Sequence, residues 1–414
     1  MTMTSNSSAA PQGLRLPAGA PAAAQTVLKL LNRLRHGSLN LSLPDGSAHR
    51  IGSGQAPVAT LRLNNWNVCA AALKSGDIGF AESYIAGDWS TPDLTALLRL
   101  FIANRREVED VIYGTWLGRL AYRVRHLLNR NTRSNSQKNI HAHYDLGNAF
   151  YELWLDDTMN YSSALFESPQ DDMRQAQRAK VRRALRMAGV QPGDRVLEIG
   201  CGWGALAEMA ALEFDASLVG VTLSTEQLAW AQARMERCAA ADRVQLRLQD
   251  YRDIGRDNPA DRQFDAICSI EMIEAVGREY WPTYFGALAR LLKPGGRACI
   301  QSIVIADDLF ERYLQSTDFI QQYIFPGGCL PSPQAFREQA HQAGLRVVDE
   351  FCFGQDYALT LARWRQAFLE QESQVLALGF DRRFVRIWEF YLAYCEAAFA
   401  ERNTDVVQYT LLKP

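Results

Sequence analysis

The chain has 414 residues, 48% of them hydrophobic and 22% charged, with 28 Gly and 15 Pro, a globular composition that excludes disordered, collagenous and coiled-coil proteins. This length predicts two domains rather than one small core. No apolar run reaches the roughly 18 residues of a transmembrane helix, and the eight scattered Cys, with no C-x-x-C pair, read as reduced cytosolic residues rather than a zinc or disulfide framework. The net charge of −2 is unevenly spread: residues 1–140 hold 16 Lys and Arg against 8 Asp and Glu, or +8, so the remainder carries −10, and a basic front suits an anionic surface, membrane or nucleic acid.

Residues 1–24 are rich in Ala, Pro, Ser and Gly and are expected to be disordered, without the apolar core of a signal peptide. Thr26–Arg35 has the spacing of a short amphipathic helix. Gly37–Leu43 alternates like a strand before the turn Pro44-Asp45-Gly46, and residues 57–63 read as another strand. Asn65–Asn104 is helical in pattern, broken at Gly76, Gly79 and Gly87. Trp116–Arg133 combines Leu, Val and Trp with five Arg. It reads either as a helix lying on an anionic bilayer, each cation contributing roughly 1 kcal/mol, or as a solvated helix joining two domains. The polar stretch that follows reads as a linker. The domain boundaries expected are a small mixed lipid-associated domain over 25–130, a linker over 131–138 and a catalytic domain over 139–414.

From Ala176 onward strands and helices alternate. Helices are predicted at Ala176–Met187, Ala205–Leu212, Ser224–Ala240 and Glu279–Leu292, and strands at Arg195–Gly200, Ser217–Thr222, Val244–Leu248, Ala266–Ile270 and Arg297–Ile305. Ser224 and Gln227 have the spacing of a capping box. Two more strands are expected at Leu345–Phe353 and Val406–Leu412, and aromatic helices at Trp364–Leu378 and Phe384–Arg402. Such alternation predicts an α/β doubly wound parallel sheet. No internal repeat is present.

Val196–Gly204 (VLEIGCGWG) reads as strand, glycine turn and helix. Ligands of open α/β sheets bind at the carboxyl ends of strands near the switch point. Gly200 and Gly202 let a ligand approach the backbone, and the G-x-G-x-G spacing differs from the dinucleotide fingerprint. Glu198, just before the turn, favours a cationic or hydroxyl-bearing ligand over a pyrophosphate. The bland reading of the same residues is a tight packing turn.

Together with this loop, His143–Asn148 (HYDLGN), Met159–Phe166 (MNYSSALF), Val219–Gln227 (VGVTLSTEQ) and Tyr323–Ser332 (YIFPGGCLPS) give the chain its resemblance. It resembles the cyclopropane-fatty-acyl-phospholipid synthase family of class I S-adenosylmethionine methyltransferases over residues 37–414. The resemblance implies a seven-stranded Rossmann-like sheet with a smaller mixed N-terminal domain and inserted C-terminal helices. For cofactor binding it implies Gly200, Cys201, Gly202 and Gly204 with Glu198 beneath them, and the pair Tyr161 and Ser162. Thr222 and Gln227 would hold the ribose, and Asp250 and Tyr251 would lie at the adenine. Each of these polar residues alone also reads as a cap or turn.

The implied reaction adds a methylene from S-adenosylmethionine across a cis double bond of a phospholipid acyl chain. The resulting carbocation must lose a proton. That demands an apolar slot, aromatic faces near the cation and a base. Related enzymes hold bicarbonate as the base, using Cys, Glu, His and Tyr with a backbone group. At the matching positions this chain has Ser163, Glu274, Gln301 and Tyr357, so Ser and Gln replace Cys and His as neutral donors. Tyr144, Tyr161 and Tyr357 are the aromatics expected around the cation, with core packing as the alternative for each. Glu271 reads as solvated or paired with an Arg. No metal set is expected from the His residues. His143 reads either as positioning a lid or as a helix cap. The implied partner is unsaturated phospholipid at the cytoplasmic face of the membrane, with no nucleic acid; family members are often dimers. A methyl-branched or methylene acyl product, a small-molecule or protein methyltransferase, and a lipid-binding protein without catalysis are the competing readings.

Overall fold

The computed structural model describes residues 19–107, 146–168, 170–256, 261 and 263–414. The basic segment Trp116–Arg133, the linker, His143 and Tyr144 lie outside the described residues. The chain divides into two compact units, one of residues 1–123 with Arg386–Ala397 and one of residues 124–385 with 398–414. The expected catalytic region, 139–414, kept Arg386–Ala397 with the sheet.

In the first unit α1 runs Ala22–Leu31 and buries Ala24, Leu28 and Leu31, so it starts inside the stretch expected to be disordered. Strands β1 (Ser38–Ser42), β2 (Ala48–Gly52), β3 (Val58–Leu63) and β4 (Trp89–Ser90) form a sheet in the order β2-β1-β3-β4. Leu39 and Leu41 point inward from β1 and Leu61 and Leu63 from β3, as two-residue alternation requires. Helix α2 (Asn67–Ala86) kinks at Gly76. Helix α3 (Leu94–Ala103) is capped by Asp93, which accepts from the Ala96 amide at 2.9 Å and satisfies an otherwise orphaned donor. Tyr84 of α2 donates to Glu389 at 2.6 Å.

The second unit carries β5 (Arg195–Ile199), β6 (Ser217–Thr222), β7 (Val244–Leu248), β8 (Phe264–Ile270), β9 (Leu292–Ile305), β10 (Arg346–Cys352) and β11 (Thr404–Leu412). Their order is β10-β11-β9-β8-β5-β6-β7. Strands β5 to β9 are parallel, and β11 runs antiparallel to β9 and β10. This is the doubly wound seven-stranded sheet predicted. Both faces are covered. Leu197, Ile199, Val219, Val221 and Ile267 join one core with Tyr284, Phe285 and Leu288. Val196, Leu218, Ala266 and Cys268 join the other, with Val181, Ala184 and Leu185 of α4 (Met173–Met187). The remaining crossover helices that matter here are α5 (Ala205–Glu213) and α6 (Thr225–Arg237).

Some boundaries differ from expectation. Strand β9 begins at Leu292 rather than at Arg297 and so takes in Lys293–Gly296; Gly295 donates to Lys413 and Lys413 donates to Gly296. The aromatic C-terminal helices are α7 (Gly354–Glu370), α8 (Glu372–Ala377) and α9 (Arg382–Ala400). Ser224 caps α6 by accepting from the Gln227 amide at 3.2 Å, but the reciprocal half of a capping box is missing. The Gln227 carboxamide oxygen instead accepts from Thr222 at 3.1 Å.

Candidate active site

Strand order reverses at β5: β6 lies on one side of it and β8 on the other. A crevice opens at such a switch point, beyond the strand carboxyl ends. The turns after β5 and β8 meet there. Gly200 has φ +84°, and a Cβ at that position would lie 3.1 Å from Met272 Cγ. Ser269 near the end of β8 donates to the Ile199 carbonyl at 2.9 Å, fixing the two ends together. A cavity at this point is lined by Tyr161, Ser162, Glu198 and the Gly200–Gly202 turn, by Thr222 and Gln227, by Asp250 and Tyr251, and by Glu271.

The structure therefore brings most of the expected cofactor residues to one cavity. Gly204, whose φ of +85° makes it a left-handed cap for α5, sits behind the turn, where an added Cβ would lie 3.1 Å from Ala231. Glu198 is buried, and its Oε2 has no hydrogen-bond partner. Burial raises its carboxyl well above the usual range, opposed by the charges of Lys180 and Arg234. An unpaired buried carboxylate oxygen facing a cavity suits a ligand with an ammonium or hydroxyl group. Asp250 is held by Arg252, which donates to it from the backbone at 2.9 Å and from Nε at 2.8 Å. Burial pushes the Tyr251 hydroxyl up, so that it stays neutral.

An aromatic wall adjoins the cavity. Tyr161 packs against Tyr151, Trp154 and Trp364 with centroids 5.4–5.6 Å apart. Trp203 of the glycine turn lies 5.2 Å from Tyr151 and donates to Asn148 at 2.7 Å.

The residues expected at the base converge, but on a different carboxylate from the one expected. Glu271 Oε1 accepts from the Ser163 amide at 2.9 Å and from Gln301 Nε2 at 2.8 Å. Glu271 Oε2 accepts from the Tyr357 hydroxyl at 2.6 Å. Glu271 is half-buried and faces the cavity, so the expectation of a solvated or Arg-paired side chain does not hold. Its φ is +49°, a left-handed conformation that costs a residue other than Gly about 1–3 kcal/mol. The Glu271 amide donates to the Gln301 carbonyl at 2.8 Å, which holds that conformation. Burial raises the Glu271 carboxyl above its ordinary range, while the Tyr357 hydroxyl, Lys180 and the Ser163 and Gln301 donors pull it back.

Glu274 neighbours Glu271 but does not join the cradle. Its Oε1 accepts from the Ile303 amide, and its carbonyl accepts from Cys329 at 2.8 Å. It is not among the residues lining the cavity. Burial and the neighbouring Glu271 charge push its carboxyl up to about 8. The Ser163 hydroxyl also departs from expectation: it donates to the Ala164 carbonyl at 3.0 Å, leaving the backbone amide as the donor to Glu271.

Sequence reasoning missed Lys180 altogether. This residue of α4 is fully buried and donates to Ser162 Oγ at 2.6 Å. Burial lowers it to about 8 against the opposing charges of Glu271, Asp156 and Glu198. The available signal was its place in the row Ala176, Lys180, Ala184, the apolar face of α4 at four-residue spacing. Gln408 was missed too. It donates to Gln301 Oε1 at 3.0 Å and accepts from Arg183 at 2.7 Å, and so fixes the Gln301 carboxamide with its nitrogen toward Glu271.

Residues 131–409 match the protein-family description "Mycolic acid cyclopropane synthetase". The chain is 39% identical to tuberculostearic acid methyltransferase from Mycobacterium tuberculosis over 97% of its own length and 95% of that protein. It is 34% identical to cyclopropane-fatty-acyl-phospholipid synthase from Escherichia coli K12, over 89% of this chain and 94% of the relative. A solved mycolic acid cyclopropane synthase complexed with SAH and CTAB aligns with a TM-score of 0.62 at 32% identity, covering 67% of this chain and 98% of that one.

Proposed function

This chain belongs to the mycolic acid cyclopropane synthetase family and is an S-adenosylmethionine-dependent enzyme acting on lipid acyl chains; from that premise we propose that it closes a cyclopropane ring on an unsaturated phospholipid. The observation that carries the reading is the crevice itself. One cavity joins a glycine turn open to a ligand, an unpaired Glu198 oxygen, an aromatic residue and a hydrogen-bonded carboxylate.

Bound in the crevice, S-adenosylmethionine supplies an electrophilic methyl group to an alkene. Glu198 Oε2 would take the polar end of the donor, with the Gly200–Gly204 turn holding its amino acid portion. Thr222 and Gln227, already linked, would hold the ribose, and Tyr251 would flank the adenine. Tyr161, with Tyr151, Trp154 and Trp364 behind it, presents an aromatic face that stabilises positive charge by about 0.5–2 kcal/mol and excludes water from the cation. The same wall forms an apolar side for the acyl chain.

A methyl-branched or methylene product is the second reading. The 39% identical relative is named a methyltransferase, whereas the 34% identical one is named a cyclopropane synthase. The outcomes differ in which proton leaves the cation. We place the enzyme at the cytoplasmic membrane surface, a reading supported by the +8 charge of residues 1–140. No helix among the described residues is long and apolar enough to cross a membrane. Incubation of the purified protein with methyl-labelled S-adenosylmethionine and vesicles of cis-monounsaturated phospholipid tests the function. Label in the acyl chain, with ring protons in the NMR spectrum, is expected. Label on water-soluble acceptors alone contradicts the reading, and exocyclic methylene protons select the alternative.

A further inference from the structure

Loss of a proton from the cation requires a base, and we infer that the base is the Glu271 carboxylate, built into the chain in place of a bound bicarbonate. The inference rests on the proposed function. The resemblance would give a bound anion the side chains of Ser163, Glu274, Gln301 and Tyr357 and a backbone group; the donors gathered here are the Gln301 carboxamide, the Tyr357 phenol and the Ser163 backbone amide. All three end on Glu271. A carboxylate matches bicarbonate in its planar pair of oxygens and its single charge. Bicarbonate does not fit alongside it: the donors are engaged, and a further anion would face the Glu271 charge directly. Like charges at such range disfavour one another.

The cradle explains how a carboxylate can work here without being methylated. Two hydrogen bonds fall on Oε1 and one on Oε2, which occupies all but one of the roughly four lone-pair sites of a carboxylate and leaves the one on Oε2 to accept the proton. Gln301 cannot turn its oxygen toward Glu271, because that oxygen accepts from Gln408, which is itself fixed by Arg183. Ser163, Gln301, Tyr357 and Gln408 are thus positioning residues. The titratable groups facing Glu271 are Lys180 from α4, Tyr357 from α7 and Glu274 from the following turn. The buried Lys180 charge favours the ionised form that a base needs.

The step balances as follows. The alkene π pair bonds to the methyl carbon, and the carbon–sulfur bond breaks with its electrons left on sulfur. A C–H proton of the transferred carbon passes to Glu271, and the electrons of that C–H bond close the ring. Glu271 returns the proton to solvent as product leaves.

The test uses the full-length enzyme with S-adenosylmethionine and dioleoyl phosphatidylglycerol vesicles in buffer stripped of carbon dioxide, then with bicarbonate restored. Unchanged turnover is expected; turnover that depends on bicarbonate overturns the inference. Glu271→Gly suits the left-handed backbone and empties the cradle. In bicarbonate-free buffer it should lose at least about a hundredfold in turnover, keep its affinity for S-adenosylhomocysteine, and regain activity with added bicarbonate or formate. Full turnover by this variant without an added anion overturns the inference. The wild-type arm stands even if the variant does not fold. Absence of any acyl product from the wild type overturns the function and this inference together, a result distinct from bicarbonate dependence.

Discussion

The glycine turn and the carboxylate cradle sit side by side at the switch point, yet they are built in opposite ways. The turn comes from one contiguous stretch, Glu198 to Gly204, in which strand, bend and helix follow in order. The cradle is drawn from residues 163, 271, 301 and 357, on four separate segments. A contiguous site is secured by local backbone conformation. A convergent one is secured by the register of the sheet and by hydrogen bonds that exist only after folding. The two should therefore fail differently: damage to the turn should appear in donor affinity, and damage to the cradle in turnover and its pH dependence.

The largest effect is expected at the cradle. Glu271→Gln keeps the size of the side chain but cannot accept the proton, so turnover should fall by about 10²–10⁴-fold with the affinity for S-adenosylhomocysteine preserved. Rapid-quench kinetics with calorimetry checks this, and weakened binding at full turnover would reverse the assignment. Gly200→Ala should do the converse. Its Cβ enters a left-handed position 3.1 Å from Met272 Cγ, and strain of about 1–3 kcal/mol corresponds to roughly five- to 150-fold weaker donor binding.

Tyr357→Phe should sharpen the difference further. The hydroxyl lowers the Glu271 carboxyl, against the larger raising effect of burial. Its removal should shift the acid limb of turnover to higher pH, because Glu271 must be ionised to work. Gly200→Ala should leave that limb where it is. A still smaller effect concerns stability. The Glu274 carboxyl stands at about 8 against an ordinary 4.5, so between those values the folded state holds a proton that the unfolded state has lost. Stability from this group is complete below about 4.5 and declines as pH rises toward about 8. Glu274→Gln should flatten that part of the melting-temperature profile. The weakest expected dependence is on membrane charge: sedimentation with anionic vesicles should exceed that with neutral ones and fall with salt.

Much of this contrast was legible before folding. The strands Ser217–Thr222 and Val244–Leu248 lie where hydrophobic pattern placed them, and the glycine spacing located the crevice. Strand β2 was not seen because only Ile51 of its five residues is buried, leaving no alternation. Glu271 was misread because nothing nearby in sequence reveals its three donors or its left-handed backbone. A carboxylate directly after the buried strand Phe264–Ile270, at the switch point, was the usable sign. Lys180 was hidden in a helix rich in cations, of which it alone is fully buried. Gln227 was correctly placed in the crevice, but Thr222 competes for the side chain that a capping box would have used.

The measurement that tests the central claim most directly uses S-adenosylmethionine with a fully deuterated methyl group. The account requires the alkene to take that carbon and the enzyme to remove one hydrogen isotope from it. Mass spectrometry and NMR of the acyl product should therefore show a ring carbon with two of the three deuteriums. Retention of all three, or no deuterium in the acyl chain, would contradict the account.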